Sequence, residues 1–153
     1  MHAAYEYISS NLQPVFLKLW NKDRRKRYFN GDIVVELEGS DAEDLGFAKI
    51  FSILGYNFPL RRIIMSYSFK IDISDNRPVL GFLEIKIEYV KTQVDYVRFL
   101  RWYIIANPER ASYIIKRLAL LIDRALNDSS LFHRLYGQWV ETKIGEIAAI
   151  QKL

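Results

Sequence analysis

Apolar and charged residues alternate strictly along residues 79–89. Leu83, Ile85 and Ile87 fall on one side, and Glu84, Lys86 and Glu88 on the other. Successive side chains of a strand point to opposite faces, so the pattern predicts a β-strand over residues 79–90. A second extended run, residues 66–74 and reaching back as far as Arg62, precedes it. Ser74-Asp75-Asn76-Arg77-Pro78 between the two predicts a turn, hence a hairpin. Ile33, Val35 and Leu37 alternate in the same way and predict a strand over 32–38. Asn30-Gly31 just before it is a type I′ turn signal, which places a partner strand at 24–29.

Elsewhere the period is helical. Tyr5, Ile8, Leu12, Val15 and Leu19 recur every three or four residues and predict a helix over 3–20, with Pro14 kinking it or starting a second. Ser40-Asp41-Ala42-Glu43 has the form of a capping box. It predicts a helix over 41–54 that buries Leu45, Ala48, Phe51 and Leu54 and ends at Gly55. From Thr92 onward Val94, Val97 and Leu100 mark a helix face, while 102–106 reads equally as helix or buried strand. Asn107-Pro108-Glu109 opens a helix that runs to about Leu126. A last helix is expected over 131–151, with Leu131, Leu135, Trp139, Ile144 and Ile147 inward, and Trp102 and Trp139 are expected in the core. The sum is a single α+β domain spanning 1–153: a mostly antiparallel sheet of about four strands, from two hairpins, packed by several helices.

Composition narrows the chemistry. Half of the 153 residues are hydrophobic, enough for a well-filled core. No run of eighteen apolar residues predicts a membrane span, and no secretory signal is evident, so an intracellular (cytoplasmic) protein is expected. With no cysteine there are no disulfides or thiolate metal sites, and two histidines leave little for a histidine-built zinc site. Abundant isoleucine and tyrosine beside two methionines follow a trend of thermophile proteins. The texture is similar to that of small proteins from viruses of hyperthermophilic archaea. A net charge of +4 permits a nucleic-acid partner without requiring one.

Three stretches carry candidate chemistry. On the predicted hairpin, Asp72 shares the polar face with Glu84 and Lys86. A turn centred near Asn76 and Arg77 would set Asp72 opposite residue 81 or 82, one pair from Glu84. Two carboxylates so placed can share Mg²⁺ or Mn²⁺, and a lysine beside them can assist the attack of water on a phosphate. The alternative is a solvated face of cross-strand ion pairs. Residues 22–27 hold Lys22, Arg24, Arg25, Lys26 and Arg27 against Asp23, followed by Tyr28 and Phe29. They suit phosphate binding with stacking, or equally a charged edge strand that resists aggregation. Arg61, Arg62, Arg98 and Arg101 add positive charge expected near the hairpin. Gly39-Ser40 between a strand and a helix has the layout of a nucleotidyltransferase loop, but no Asp-x-Asp pair follows at a suitable distance.

Asp72 followed by Glu84-Ile85-Lys86, with a helix carrying Glu43 before and Gln93 and Tyr96 after, resembles the PD-(D/E)XK nuclease superfamily over about residues 40–105. The resemblance implies a metal-dependent nuclease that hydrolyses DNA. Asp72 and Glu84 would hold Mg²⁺ or Mn²⁺, Lys86 would assist the water, and Arg24, Arg25, Lys26 and Arg27 would grip the backbone. No proline precedes Asp72, and the Gln93–Tyr96 spacing is one residue tighter than usual in RecB-type members. The competing expectation is a non-enzymatic DNA-binding protein that uses the basic hairpin.

Overall fold

The hairpin of β2 (Leu60–Asp72) and β3 (Arg77–Tyr89) is the longest strand pairing in the sheet of the structure, a computed structural model that describes residues 2–22, 33–56, 59–128 and 132–136. Alternation along each strand determines which face is dry. Ile63, Met65 and Tyr67 of β2 are buried, as are Leu83, Ile85, Ile87 and Tyr89 of β3. β1 (Ile33–Glu38) pairs antiparallel with β2 and turns Ile33, Val35 and Leu37 to the same face, as its pattern predicts. The helix expected from Thr92 begins only at Tyr96, and Val94 belongs instead to the short β4 (Gln93–Asp95), which lies against Lys86, Ile87 and Glu88 of β3. The described residues form a five-stranded antiparallel sheet in the order β4-β3-β2-β1-β5, and the fold is α+β.

β5 (Phe132–Tyr136) corrects the expected last helix. These residues pair with Ile33–Leu37 of β1 instead. Phe-His-Arg-Leu-Tyr is short and carries an aromatic residue at each end, and β1 offers it an open edge, so sheet pairing outweighs the helical spacing of the leucines. The remainder of that expected helix, with Trp139, lies outside the described residues. So does the expected strand at 24–29, and β1 has β2 on one edge and β5 on the other.

α1 (His2–Lys22) runs unbroken through Pro14. Pro14 is on the solvent side, as is Ser10, whose carbonyl the proline leaves without its helical donor, so water can serve it. Ile8, Leu12, Val15, Phe16 and Leu19 are buried, and the Phe16 ring sits 5.1 Å from that of Tyr67. α1 also covers the part of β3 that β4 does not reach. Gln13 Oε1 accepts from the Leu80 amide at 3.2 Å, and Tyr5 Oη accepts from the Leu83 amide at 3.1 Å. Two strand-edge donors are thereby satisfied by helix side chains.

The helix expected over 41–54 is two helices and a turn. α2 (Gly39–Leu45) ends at Gly46, whose φ of 98° is left-handed and restarts the chain as α3 (Phe47–Phe51). A 3₁₀ turn (Ser52–Leu54) then closes on Gly55 at φ 75°, as its C-terminal glycine predicts. The capping box does not form. The helix begins two residues early, with Glu38 at the cap position and no side-chain cap bond. The break shifts the inward set to Ala42, Phe47, Ile50 and Phe51, and Ala48 is exposed. α4 (Tyr96–Ala106) and α5 (Pro108–Asn127) follow, with proline at the start of α5 as predicted. α5 packs across α1, α3 and α4, tied to α1 by Lys18–Asp123 at 2.8 Å and Tyr7–Ser112 at 2.8 Å.

Candidate nucleic-acid interface

The predicted site begins on β3. Glu84, Lys86 and Glu88 do project from the face opposite Ile85 and Ile87, and all three are half-buried. Their partners differ from expectation. Asp72 pairs with Arg77, and Glu84 pairs with Ser66. Six residues of β2 therefore separate the two carboxylate positions, roughly 20 Å at strand rise. Asp72 shares the face of Glu84 but not its neighbourhood, and one metal ion cannot bridge them.

The turn is the physical reason. It comprises only residues 73–76, with Asn76 at φ 50°, so its centre lies two residues earlier than the Asn76–Arg77 position assumed from sequence. A bulge follows, because Ser68 pairs with Phe82 but Phe69 with Leu80, leaving Gly81 unopposed. Asp72 itself is a turn residue. Its carboxylate accepts from Ser74 Oγ at 2.7 Å and from the Ser74 amide at 3.0 Å, an Asx-type turn. These bonds, the hydroxyl's first, hold its pKa below the ordinary 3.8.

The rest of the polar face is largely self-paired. Arg62 reaches Glu88 at 3.1 Å and Glu36 at 3.2 Å, and Arg61 reaches Glu88 at 3.8 Å. Those two arginines are therefore committed to carboxylates of the sheet. Lys86 pairs with Glu84 at 3.3 Å. Lys86 also lies directly across from Asp95 of β4, which puts Asp95 on the face of Glu84.

Where β4 ends and α4 begins, a cleft of 310 Å³ opens. Glu84 and Asp95 line it from the sheet, Arg98 and Arg101 from the helix, and Tyr5 and Phe82 from the side. Asp95 caps α4, accepting from the Arg98 amide at 3.0 Å. The Arg101 guanidinium lies 5.6 Å from the centre of the Tyr5 ring, and its Nε is buried with no hydrogen-bond partner among the described residues. Among those residues no three histidine, aspartate or glutamate side chains gather to hold a metal.

Beside the cleft, α4 exposes an aromatic residue that the sequence reading misplaced, Trp102. Expected in the core, it is 62% exposed, against Phe99 at 6.0 Å and Tyr103 at 6.4 Å. α4 buries Val97, Leu100 and Tyr103, and that phase turns Arg98, Trp102 and Ile105 outward at helical spacing. The signal was present in Val97 and Leu100, but reading 102–106 as one apolar block hid it.

The family-like residues around the motif lie apart from the cleft. Tyr96 is fully buried and donates to the Ile50 carbonyl at 3.2 Å, and burial raises its hydroxyl pKa. Glu43 lines a separate 180 Å³ pocket with Ser52, Tyr56 and Tyr89. Gln93 pairs across from Glu88. Arg24, Arg25, Lys26 and Arg27 lie outside the described residues. No protein-family model, curated protein or solved structure matches the chain. No helix among the described residues is long and apolar enough to cross a membrane.

Proposed function

We propose that the protein binds nucleic acid through α4, without cutting it. The observation that carries the reading is the exposed Trp102 flanked by Arg98 and Arg101 on one helix. An exposed indole offers a stacking surface to any unpaired base, the exposed Arg98 guanidinium offers bidentate hydrogen bonds to phosphate, and Arg101 beside it adds positive charge. The basic segment 22–27 and the net charge of +4 support the same partner by long-range attraction. Glu84 and Lys86 then act as a paired surface charge.

Metal-dependent DNA hydrolysis is the second reading, favoured by one observation: Glu84 and Asp95 line the same cleft as Arg98 and Arg101. Two carboxylates suffice for a Mg²⁺ that keeps most of its waters, so Asp95 would take the role that sequence gave to Asp72.

One titration separates the two. Labelled single-stranded and duplex DNA are followed by anisotropy over a salt series, with Mg²⁺ or with EDTA, and the products are run on a gel. Binding is expected to weaken steeply with salt, to ignore EDTA and to yield no products. Trp102→Ala should lower affinity for the single strand by about tenfold or more, since stacking on one aromatic contributes roughly 1–3 kcal/mol. Unchanged binding in that variant sinks the reading. Mg²⁺-dependent cleavage that Glu84→Ala abolishes replaces it with the nuclease.

A further inference from the structure

α5 carries a second surface that the nucleic-acid reading does not use. Arg110, Tyr113, Ile114 and Arg117 recur along one of its faces at helical spacing and meet Lys49, Ile50 and Ile53 of the α3 region across a groove of 510 Å³. The floor is apolar. Ile50 and Ile114 are buried at 3% exposure each, and Ile53 is half-buried between them and solvent. The rim is basic. Lys49, Arg110 and Arg117 stand against the single acid Glu109, and none of the three makes an ion pair with another described residue. Tyr113, 59% exposed, adds an aromatic ring to the lip.

Cations that line only a solvated helix face need no apolar trough between them, and a trough that merely awaits packing needs no cationic rim. The combination suits a ligand with both an anionic head and an apolar body. The volume falls within the roughly 300–1,000 Å³ of small-molecule clefts. A phosphodiester chain would use the rim and gain nothing from three isoleucines. We infer that the groove between α3 and α5 binds a small amphiphilic carboxylate. Its chain would lie on Ile50, Ile53 and Ile114 while Arg110, Arg117 and Lys49 hold its head.

The test uses the full chain and anilinonaphthalene sulfonate, a dye that is itself an apolar anion, with laurate below its micelle concentration as competitor. Saturable dye binding, displaced by laurate and only weakly by the neutral dodecanol, is expected. Arg110→Glu combined with Arg117→Glu should weaken the dye roughly tenfold or more, with an unchanged circular dichroism spectrum. Ile53→Asn should weaken laurate while leaving the fold intact, since Ile53 is only half-buried. Absence of saturable binding, indifference to the charge reversal, or dodecanol competing as well as laurate overturns the inference. So does displacement by a short oligonucleotide, which gives the groove to nucleic acid. Displacement by an acidic amphipathic peptide but not by laurate also overturns it, in favour of a protein partner.

Discussion

Two buried positions show how single atoms set what this chain tolerates. Gly39 starts α2 where the helix passes the first residues of β2. A Cβ there would overlap the Leu60 carbonyl and lie 2.8 Å from that of Arg61. Both obstacles are backbone, which cannot swing aside. Gly39→Ala should therefore cost about 3 kcal/mol or more, read as a lower urea midpoint at unchanged slope. The glycine makes this close approach possible. Tyr96 is the second position. Its hydroxyl satisfies a carbonyl at the end of α3, a helix too short to satisfy its own. Tyr96→Phe should cost about 1–2 kcal/mol at neutral pH. Burial raises the folded-state pKa, so the folded state keeps this proton when the unfolded chain loses its own, near pH 10. That contribution is complete below about pH 10 and declines as pH rises toward the folded value. The stability gap between parent and variant should thus narrow in alkaline denaturation curves. A gap that widens above pH 10 contradicts the burial of the hydroxyl.

At the scale of elements, alternation was legible because one face of each strand is dry. β1 and β3 follow Ile33-Val35-Leu37 and Leu83-Ile85-Ile87 directly, whereas β2, expected over 66–74, runs over Leu60–Asp72 and leaves Ile71 and Ile73 exposed. Register was not legible, because it rests on features with little sequence signature. One is a turn of residues 73–76 closed by Asn76 at φ 50°, and the other is the bulge at Gly81. A shift of two residues in the assumed turn centre, four in pairing, is what brought Asp72 close to Glu84 on paper. The break at Gly46 was hidden for a similar reason: Ser40 and Glu43 imitate a helix start that the chain reaches at Gly39 instead. The candidate site was half legible. Glu84, Lys86, Arg98 and Arg101 were named and do lie near one cleft, while Trp102 was lost to an apolar block. The turn gives a test at this scale. Asn76→Gly keeps the left-handed conformation at no steric cost and should be neutral, within roughly half a kcal/mol. Asn76→Val forces a β-branched residue into that region and should lose about 1–2 kcal/mol. If valine is tolerated as well as glycine, the turn is not the one that fixes the register.

For the whole molecule, the described residues contribute to one buried cluster. It joins α1 through Phe16 and Leu19, the sheet through Tyr67 and Ile85, and α3, α4 and α5 through Phe47, Leu100 and Leu118. No helix among the described residues has a core apart from this one, so the parts should unfold together, as single domains of this size usually do. Trp20 packs on Phe69 at 5.4 Å and reports the α1–sheet contact, whereas Trp102 is largely in water and reports little. In a background with Trp102→Phe and Trp139→Phe, which leaves Trp20 as the one tryptophan, fluorescence and far-ultraviolet circular dichroism should therefore give one coincident thermal transition. Two separated transitions would mean that α1 or the sheet melts alone. The temperature carries the compositional argument. No cysteine and two methionines leave few thermolabile side chains, and the Glu36–Arg62–Glu88 cluster is an ion-pair network of the kind that gains weight on heating. The midpoint should lie above the 45–65 °C of ordinary mesophile domains. High salt should lower it by screening that network, because charges on a half-exposed face are reached by ions that a buried core excludes. A midpoint inside the mesophile range rejects the thermophile reading, and a salt-independent one assigns the stability to the apolar core alone.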